Sequence, residues 1–184
     1  MPTIIFSNTK KREQEYLSQL FEEKEWFKRE HFPVFLPPTK ASNRQKIKEL
    51  SRKEIDQLNK DWKRIERDFF ATIKTFRHKK LVPKYVGHVS RFGPEGKYQS
   101  PNIVFIRLRA KHDARQATET IAHELIHLFF ADFFESKKLN YAECEGMVDA
   151  LVLESGLADI FPNYKRQSVG KVRRKLLKSI LMLG

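Results

Sequence analysis

Three residues near the middle of the chain have the types and the spacing that bind a metal ion and activate water. His123 and His127 are four positions apart, so on a helix their imidazoles lie one above the other and can reach a single cation. Glu124 lies about 100° further around the helix and can face a metal-bound water without being a ligand. There it can accept a proton from the water and pass it to a leaving amine. The pattern predicts two metal ligands and a catalytic base.

The residues around this HExxH motif favour a functional helix over a chance match. The bare pattern would arise in roughly one or two of a hundred chains of this composition. Residues 120–122 and the two residues between Glu124 and His127 are uncharged, and Leu128 and Phe129 continue the apolar face. Burying three ionisable groups in such a setting is costly without a compensating cation. We therefore expect a bound metal, with Zn²⁺ as the cofactor.

A zinc site of this kind needs a third protein ligand and keeps its fourth position for water. No histidine follows His127, and Phe133 stands six residues beyond it, where metzincins carry a histidine. The third ligand must therefore be a carboxylate or come from upstream. On the next predicted helix, Glu145 and Asp149 are four apart and share a face, whereas Glu143 points elsewhere.

This arrangement resembles the gluzincins, the thermolysin-like zinc peptidases, over about residues 81–160. In that family a glutamate on a following helix completes the metal site, and an acidic residue one turn later orients the first histidine. The resemblance implies Glu145 as the third ligand, with Glu143 as the fallback, and Asp149 as the partner that fixes the tautomer of His123. The short spacing is similar to that of minigluzincins and of the small HExxH proteins of the ImmA/IrrE group, which cleave regulators in bacteria. It implies a zinc metallopeptidase, a hydrolase with a small zincin-like α+β core.

The resemblance also suggests where a peptide substrate would bind. Zincins pair an extended peptide with the sheet edge formed by the strand before the metal helix, which gives this role to residues 103–108. Thermolysin-like enzymes place a Tyr or His downstream of the glutamate to stabilise the oxyanion. Tyr164 lies downstream here, and Tyr141 and His112 are the other candidates, so that role stays open.

Apolar periodicity predicts an α+β chain of three segments that form one compact unit. These are an N-terminal basic helical segment (1–80), the zincin-like core (81–164) and a basic amphipathic C-terminal helix (165–184). Ser51 and Glu54 form a capping box that opens the second long helix of the N-terminal segment. The other predicted elements are strands at 3–6, 81–92 and 103–108, a turn-rich segment at 93–101, and helices at 9–30, 117–135, 141–160 and 170–183.

The formal charge of +13 is unevenly distributed along the chain. Residues 1–115 and 165–184 carry net charges of +13 and +7, whereas residues 116–164 carry −7. The acidic stretch suits a cation site, and the basic flanks could face nucleic acid. The alternative function is therefore a nucleic-acid-associated regulator that retains the zincin fold with narrow or no peptidase activity. The N-terminal helices could also cover the cleft as an inhibitory segment.

Composition favours a cytoplasmic protein, and the gluzincin resemblance implies a peptide or protein substrate as its partner. The single cysteine, Cys144, excludes an internal disulfide framework and a cysteine-rich zinc finger. The longest apolar runs are far shorter than the roughly 20 residues of a membrane-spanning helix. The basic residues at positions 10–12 follow the first apolar patch, which is the reverse of a secretory signal.

Overall fold

The computed structural model describes residues 1–29, 32–38, 50–109, 114–166 and 170–182. The mixed α+β class predicted from the sequence is confirmed. The described residues form strands β1 (Thr3–Ser7), β2 (Lys84–Ser90), β3 (Gly96–Gln99) and β4 (Ile103–Arg107), and helices α1 (Lys10–Glu22), α2 (Lys24–Arg29), α3 (Arg52–Thr75), α4 (Ala114–Ser136), α5 (Tyr141–Leu153), α6 (Leu157–Ile160) and α7 (Arg174–Leu181).

The four strands form one mixed sheet in the order β1-β2-β4-β3. β1, β2 and β4 are parallel, and β3 is antiparallel to β4. The three predicted strands are found, but β3 lies in the segment that the sequence marked only as turn-rich. The expectation that residues 103–108 form the sheet edge is wrong, because β4 has β2 on one side and β3 on the other. The short returning strand takes the edge beside α4 instead.

Helices cover both faces of the sheet, so the fold has three layers. Val104 and Ile106 point from β4 into the main core, which α3, α4 and α5 share. Phe105 points to the opposite face, where its ring stacks on Tyr16 of α1 at a centroid distance of 4.6 Å in a second, smaller core. Because side chains alternate along a strand, the two faces of β4 contribute residues to two different cores.

The start of α3 is held by the predicted capping box, which is confirmed. The Ser51 hydroxyl accepts from the Glu54 amide, and the Glu54 carboxylate accepts from the Ser51 amide. Glu54 also accepts from the buried Arg91 guanidinium at 2.6 Å. Burial alone would raise the pKa of Glu54, but the hydrogen bonds from Arg91 and Ser51 outweigh it and lower the pKa to about 2.

Polar contacts from α3 fasten β1 to the rest of the sheet. The buried Glu66 carboxylate accepts from the Ile4 amide at 3.0 Å, and Asn59 bonds both the amide and the carbonyl of Phe6. Leu58 and other apolar residues of α3 lie in the same core as the residues of α4. The first 80 residues therefore supply a strand and a core helix of the structure that carries the HExxH motif.

Three predicted helices are interrupted or shortened, and a fourth, expected at 117–135, spans Ala114–Ser136. The helix expected at 9–30 is interrupted after Glu22 and continues as α2, and the helix expected at 141–160 is interrupted by a turn through Gly156 before α6. The tail helix is shorter than 170–183: α7 spans Arg174–Leu181, with Leu177 and Ile180 buried in the main core. Residues 183 and 184 lie outside the described residues.

No helix in the described part of the chain combines the length and apolarity needed to cross a membrane.

Candidate metal centre

The HExxH motif lies in the middle of α4, a helix that is buried on nearly all sides. His123 and His127 are 2% and 3% exposed, and Glu124 is 8% exposed. The helix packs against β3, β4, α3 and α5, so its apolar residues are distributed around the helix rather than along a single face. Such packing fixes the backbone that carries both imidazoles.

Helix α5 brings one of its two candidate glutamates to the histidines. Glu143 makes contacts away from the histidines: its carboxylate accepts from the Asn140 amide at 3.0 Å in a capping box and from Arg173 at 2.7 Å. Two residues on, Glu145 lies on the face turned toward α4. The structure therefore groups Glu145, and not the fallback Glu143, with the histidines.

Three donor atoms converge on one point. His123 Nε2 and His127 Nε2 are 3.1 Å apart, and the Glu145 carboxylate oxygens lie 3.2 Å and 3.1 Å from them. A zinc ion with ligand bonds of about 2.0–2.1 Å keeps tetrahedral ligands about 3.3 Å apart. The residues present therefore fit three corners of a zinc site.

For His127 and Glu145 the protonation also suits a cation. At His123, by contrast, burial alone would lower the pKa, but the neighbouring Glu145, Glu124 and Asp149 carboxylates outweigh it and raise the pKa. Burial lowers the pKa of His127, which favours its neutral form. Burial alone would raise the pKa of Glu145, but its hydrogen bonds with His123 and His127 outweigh this and hold the pKa below its usual range. A neutral imidazole and an ionised carboxylate are the forms that bind metal.

His123 is oriented from behind by two residues. Its Nδ1 lies 2.9 Å from the Tyr164 hydroxyl, which donates to Asp149 at 2.8 Å. Because this hydroxyl gives its only hydrogen to Asp149, it accepts from the Nδ1–H of His123, and in the neutral imidazole this tautomer leaves the lone pair on Nε2, the nitrogen that a cation would bind. Asp149 itself is 3.7 Å from Nδ1. The predicted partner, Asp149, therefore lies near the ring, and the Tyr164 hydroxyl bridges the two.

This position removes Tyr164 from the candidates for oxyanion stabilisation. The sequence placed it downstream of the glutamate but gave no signal that it would lie behind His123. Of the other two candidates, His112 lies outside the described residues. Tyr141, at the start of α5, stays protonated, because partial desolvation of its hydroxyl and the nearby Glu145 carboxylate raise its pKa.

His127 is positioned differently, by stacking. Its ring lies parallel to that of Tyr98 on β3, with centroids 5.0 Å apart and an interplanar angle of 9°. Its Nδ1 makes no hydrogen bond within the described residues. Tyr98 was missed by the sequence reasoning because the turn-rich segment around it shows no strand pattern.

Glu124 lies directly under β3. A Cβ at Gly96 would come 2.4 Å from Glu124 Oε1 and 2.7 Å from Thr120 Cγ2, so only glycine allows the strand this close. Burial and the Glu145 charge raise the pKa of Glu124 to about 7, against the lowering effect of His123. A carboxyl with a pKa near neutrality suits a general base, because it can both take and return a proton.

No protein-family model matches this chain, and no curated protein and no solved structure resembles it at a significant level. Its likeness to the gluzincins therefore rests on the motif and on the three converging side chains.

Proposed function

We propose that the chain is a zinc-dependent metallopeptidase of gluzincin type, with a zincin-like core built from the sheet, α4 and α5. The observation that carries the proposal is the convergence of His123, His127 and Glu145 within about one zinc tetrahedron. Asp149 helps to orient His123 through the hydroxyl of Tyr164. Zinc, when bound, lowers the pKa of water and polarises a carbonyl.

Glu124 performs the proton transfers in this proposal. It takes a proton from the attacking water and passes it to the nitrogen of the leaving amine. Its burial beneath Gly96 keeps bulk water away from the carboxylate and strengthens its charge interactions.

β3 supplies the row of backbone groups for the peptide. Among the described residues it pairs only with β4, so its outer amides and carbonyls can pair with an extended chain. Gly96 and Tyr98 place this strand over Glu124 and His127 respectively. A peptide added to β3 therefore passes in front of the three converging side chains.

The test is to load the purified protein with zinc, count bound ions, and compare Glu124→Gln with wild type on a mixture of peptides. We expect one zinc per chain in both proteins and hydrolysis only by wild type. Glu135→Gln, an exposed site on the same helix, is the matched control and should keep full activity. The proposal fails if reconstituted protein binds no zinc, or if the Glu124 variant cleaves as well as wild type.

A further inference from the structure

A cavity of about 260 Å³ opens beside the first half of α4. One water molecule needs about 10–15 Å³ of such volume, so the cavity has room for a side chain. Thr120 forms part of its wall one turn before Glu124, and Glu95, which also lines it, precedes Gly96. Asn163 of the wall precedes Tyr164, the residue bonded to His123. The cavity therefore adjoins the candidate metal centre.

The two carboxylates of the cavity wall already have cationic partners. Glu95 forms ion pairs with Arg107 and Arg109, which approach it from β4 and the residues after it. Glu119 pairs with Arg115 of the same helix, at 4.0 Å. Each of the two acids therefore already has at least one cation of its own beside it.

Two further cations line the same cavity. Lys165 and Arg166 are both exposed and line the cavity. Neither forms an ion pair with another residue in the described ranges of the chain. With both acids paired, these two side chains give the cavity a surplus of positive charge, and the arginine fork matches a carboxylate geometrically.

The direction of β3 indicates which part of an antiparallel peptide would meet this cavity. From Gly96 to Tyr98 the strand runs from Thr120 and Glu124 toward His127. A peptide that pairs antiparallel with β3 runs the opposite way, so the part that follows the cleaved bond passes the Thr120 end, where the cavity lies.

We propose that the Lys165–Arg166 cavity binds a carboxylate on the residue that follows the cleaved bond. This inference rests on the proposed peptidase function and gives its substrate class: peptides acidic at that position. Two sources offer this chemistry, an Asp or Glu side chain and the C-terminal carboxylate of a short peptide.

The experiment compares the zinc-loaded wild type with the double variant Lys165→Glu/Arg166→Glu on a peptide library, prepared with free and with amidated C-termini, mapping cleavage sites by mass spectrometry. We expect wild type to prefer Asp or Glu after the cleaved bond by about tenfold or more, and the variant to lose or reverse that preference. If the cavity binds an Asp or Glu side chain, the preference persists in peptides with amidated C-termini. If it binds the C-terminal carboxylate, amidation abolishes the preference. Lys175→Glu/Lys178→Glu makes the same charge change on exposed positions of α7 and should keep the wild-type profile.

A second measurement separates failure of the inference from failure of the proposed function. Zinc-loaded Glu124→Gln protein, titrated with fluorescent library peptides, should bind acidic ones about tenfold more tightly than neutral ones, and the added Lys165→Glu/Arg166→Glu changes should remove this difference. Absence of cleavage by wild type would overturn the peptidase, while acid-selective binding would still uphold the cavity. Cleavage without acidic preference, or a preference unchanged in the double variant, would overturn the inference alone.

Discussion

Glu143 and Glu145 are a matched pair for testing the metal centre, because they are two residues apart on α5 and differ in what they contact. Glu145 faces both histidine Nε2 atoms, whereas Glu143 caps the helix and pairs with Arg173. Replacing Glu145 with Gln removes the negative charge from the donor set. The same change at Glu143 leaves a side chain that still serves the capping box.

The expected loss of zinc affinity follows from the geometry. Residues that merely support metal ligands contribute about 10–100-fold to affinity, so losing a direct ligand is expected to cost about 100-fold or more. At a zinc concentration a thousand times the wild-type dissociation constant, bound metal adds about 4.1 kcal/mol to the free energy of unfolding. After a 100-fold loss the gain at the same concentration is about 1.4 kcal/mol. Glu143→Gln should keep the wild-type gain.

Urea unfolding with and without zinc, together with titration against a chromophoric chelator, measures both quantities. Equal loss of zinc affinity in the two variants would refute the assignment of Glu145 as the ligand. So would retained affinity in Glu145→Gln, since the charge that completes the donor set would then be dispensable.

Three further predictions concern the surroundings of the site. Asp149→Asn should weaken zinc binding about 10–100-fold in a chelator titration, whereas exposed Asp159→Asn should not change it. Because the pKa of Glu54 is lowered to about 2 in the folded state, its stabilisation is complete above about pH 4.5 and is lost as the pH falls toward 2. The difference in free energy of unfolding between wild type and Glu54→Gln should therefore shrink over that window in urea titrations. Gly146→Ala would push a Cβ to 2.6 Å from the backbone of residues 170–171 and should cost about 1–3 kcal/mol by thermal unfolding, whereas Gly156→Ala meets only ordinary contacts and should stay near wild type.

The sequence predicted which side chains come together at the candidate site, because that information is local. His123, Glu124 and His127 lie within five residues of one helix, and the helix period alone decides that the two imidazoles share a face. Glu145 and Asp149 are related in the same way on the next helix. The helix pattern could rank Glu145 above Glu143, but the capping box that occupies Glu143 shows only in three dimensions.

What the sequence missed depends on contacts between distant segments. Tyr164 lies behind His123 because the chain after α6 folds back along α4 and α5, and no periodic pattern encodes that return. The nucleic-acid alternative stays a prediction. Part of the basic charge behind it is paired within the chain, as Arg173 and Arg174 are with Glu143 and Glu154.

β3 is an edge strand that the sequence pattern did not predict, and it nevertheless packs directly against the candidate site. It has four residues and, among the residues that the structure describes, only one of its edges is paired, so no long apolar alternation is required. Its side chains alternate between the two faces of the sheet. Tyr98 stacks on His127, while Lys97 points to the opposite layer and binds Glu23 at the end of α1 at 2.6 Å. The N-terminal helices thereby hold the proposed peptide-binding strand from behind. Removing the first 80 residues would also remove β1 and α3, so truncation would test folding of the sheet rather than release of a covered cleft.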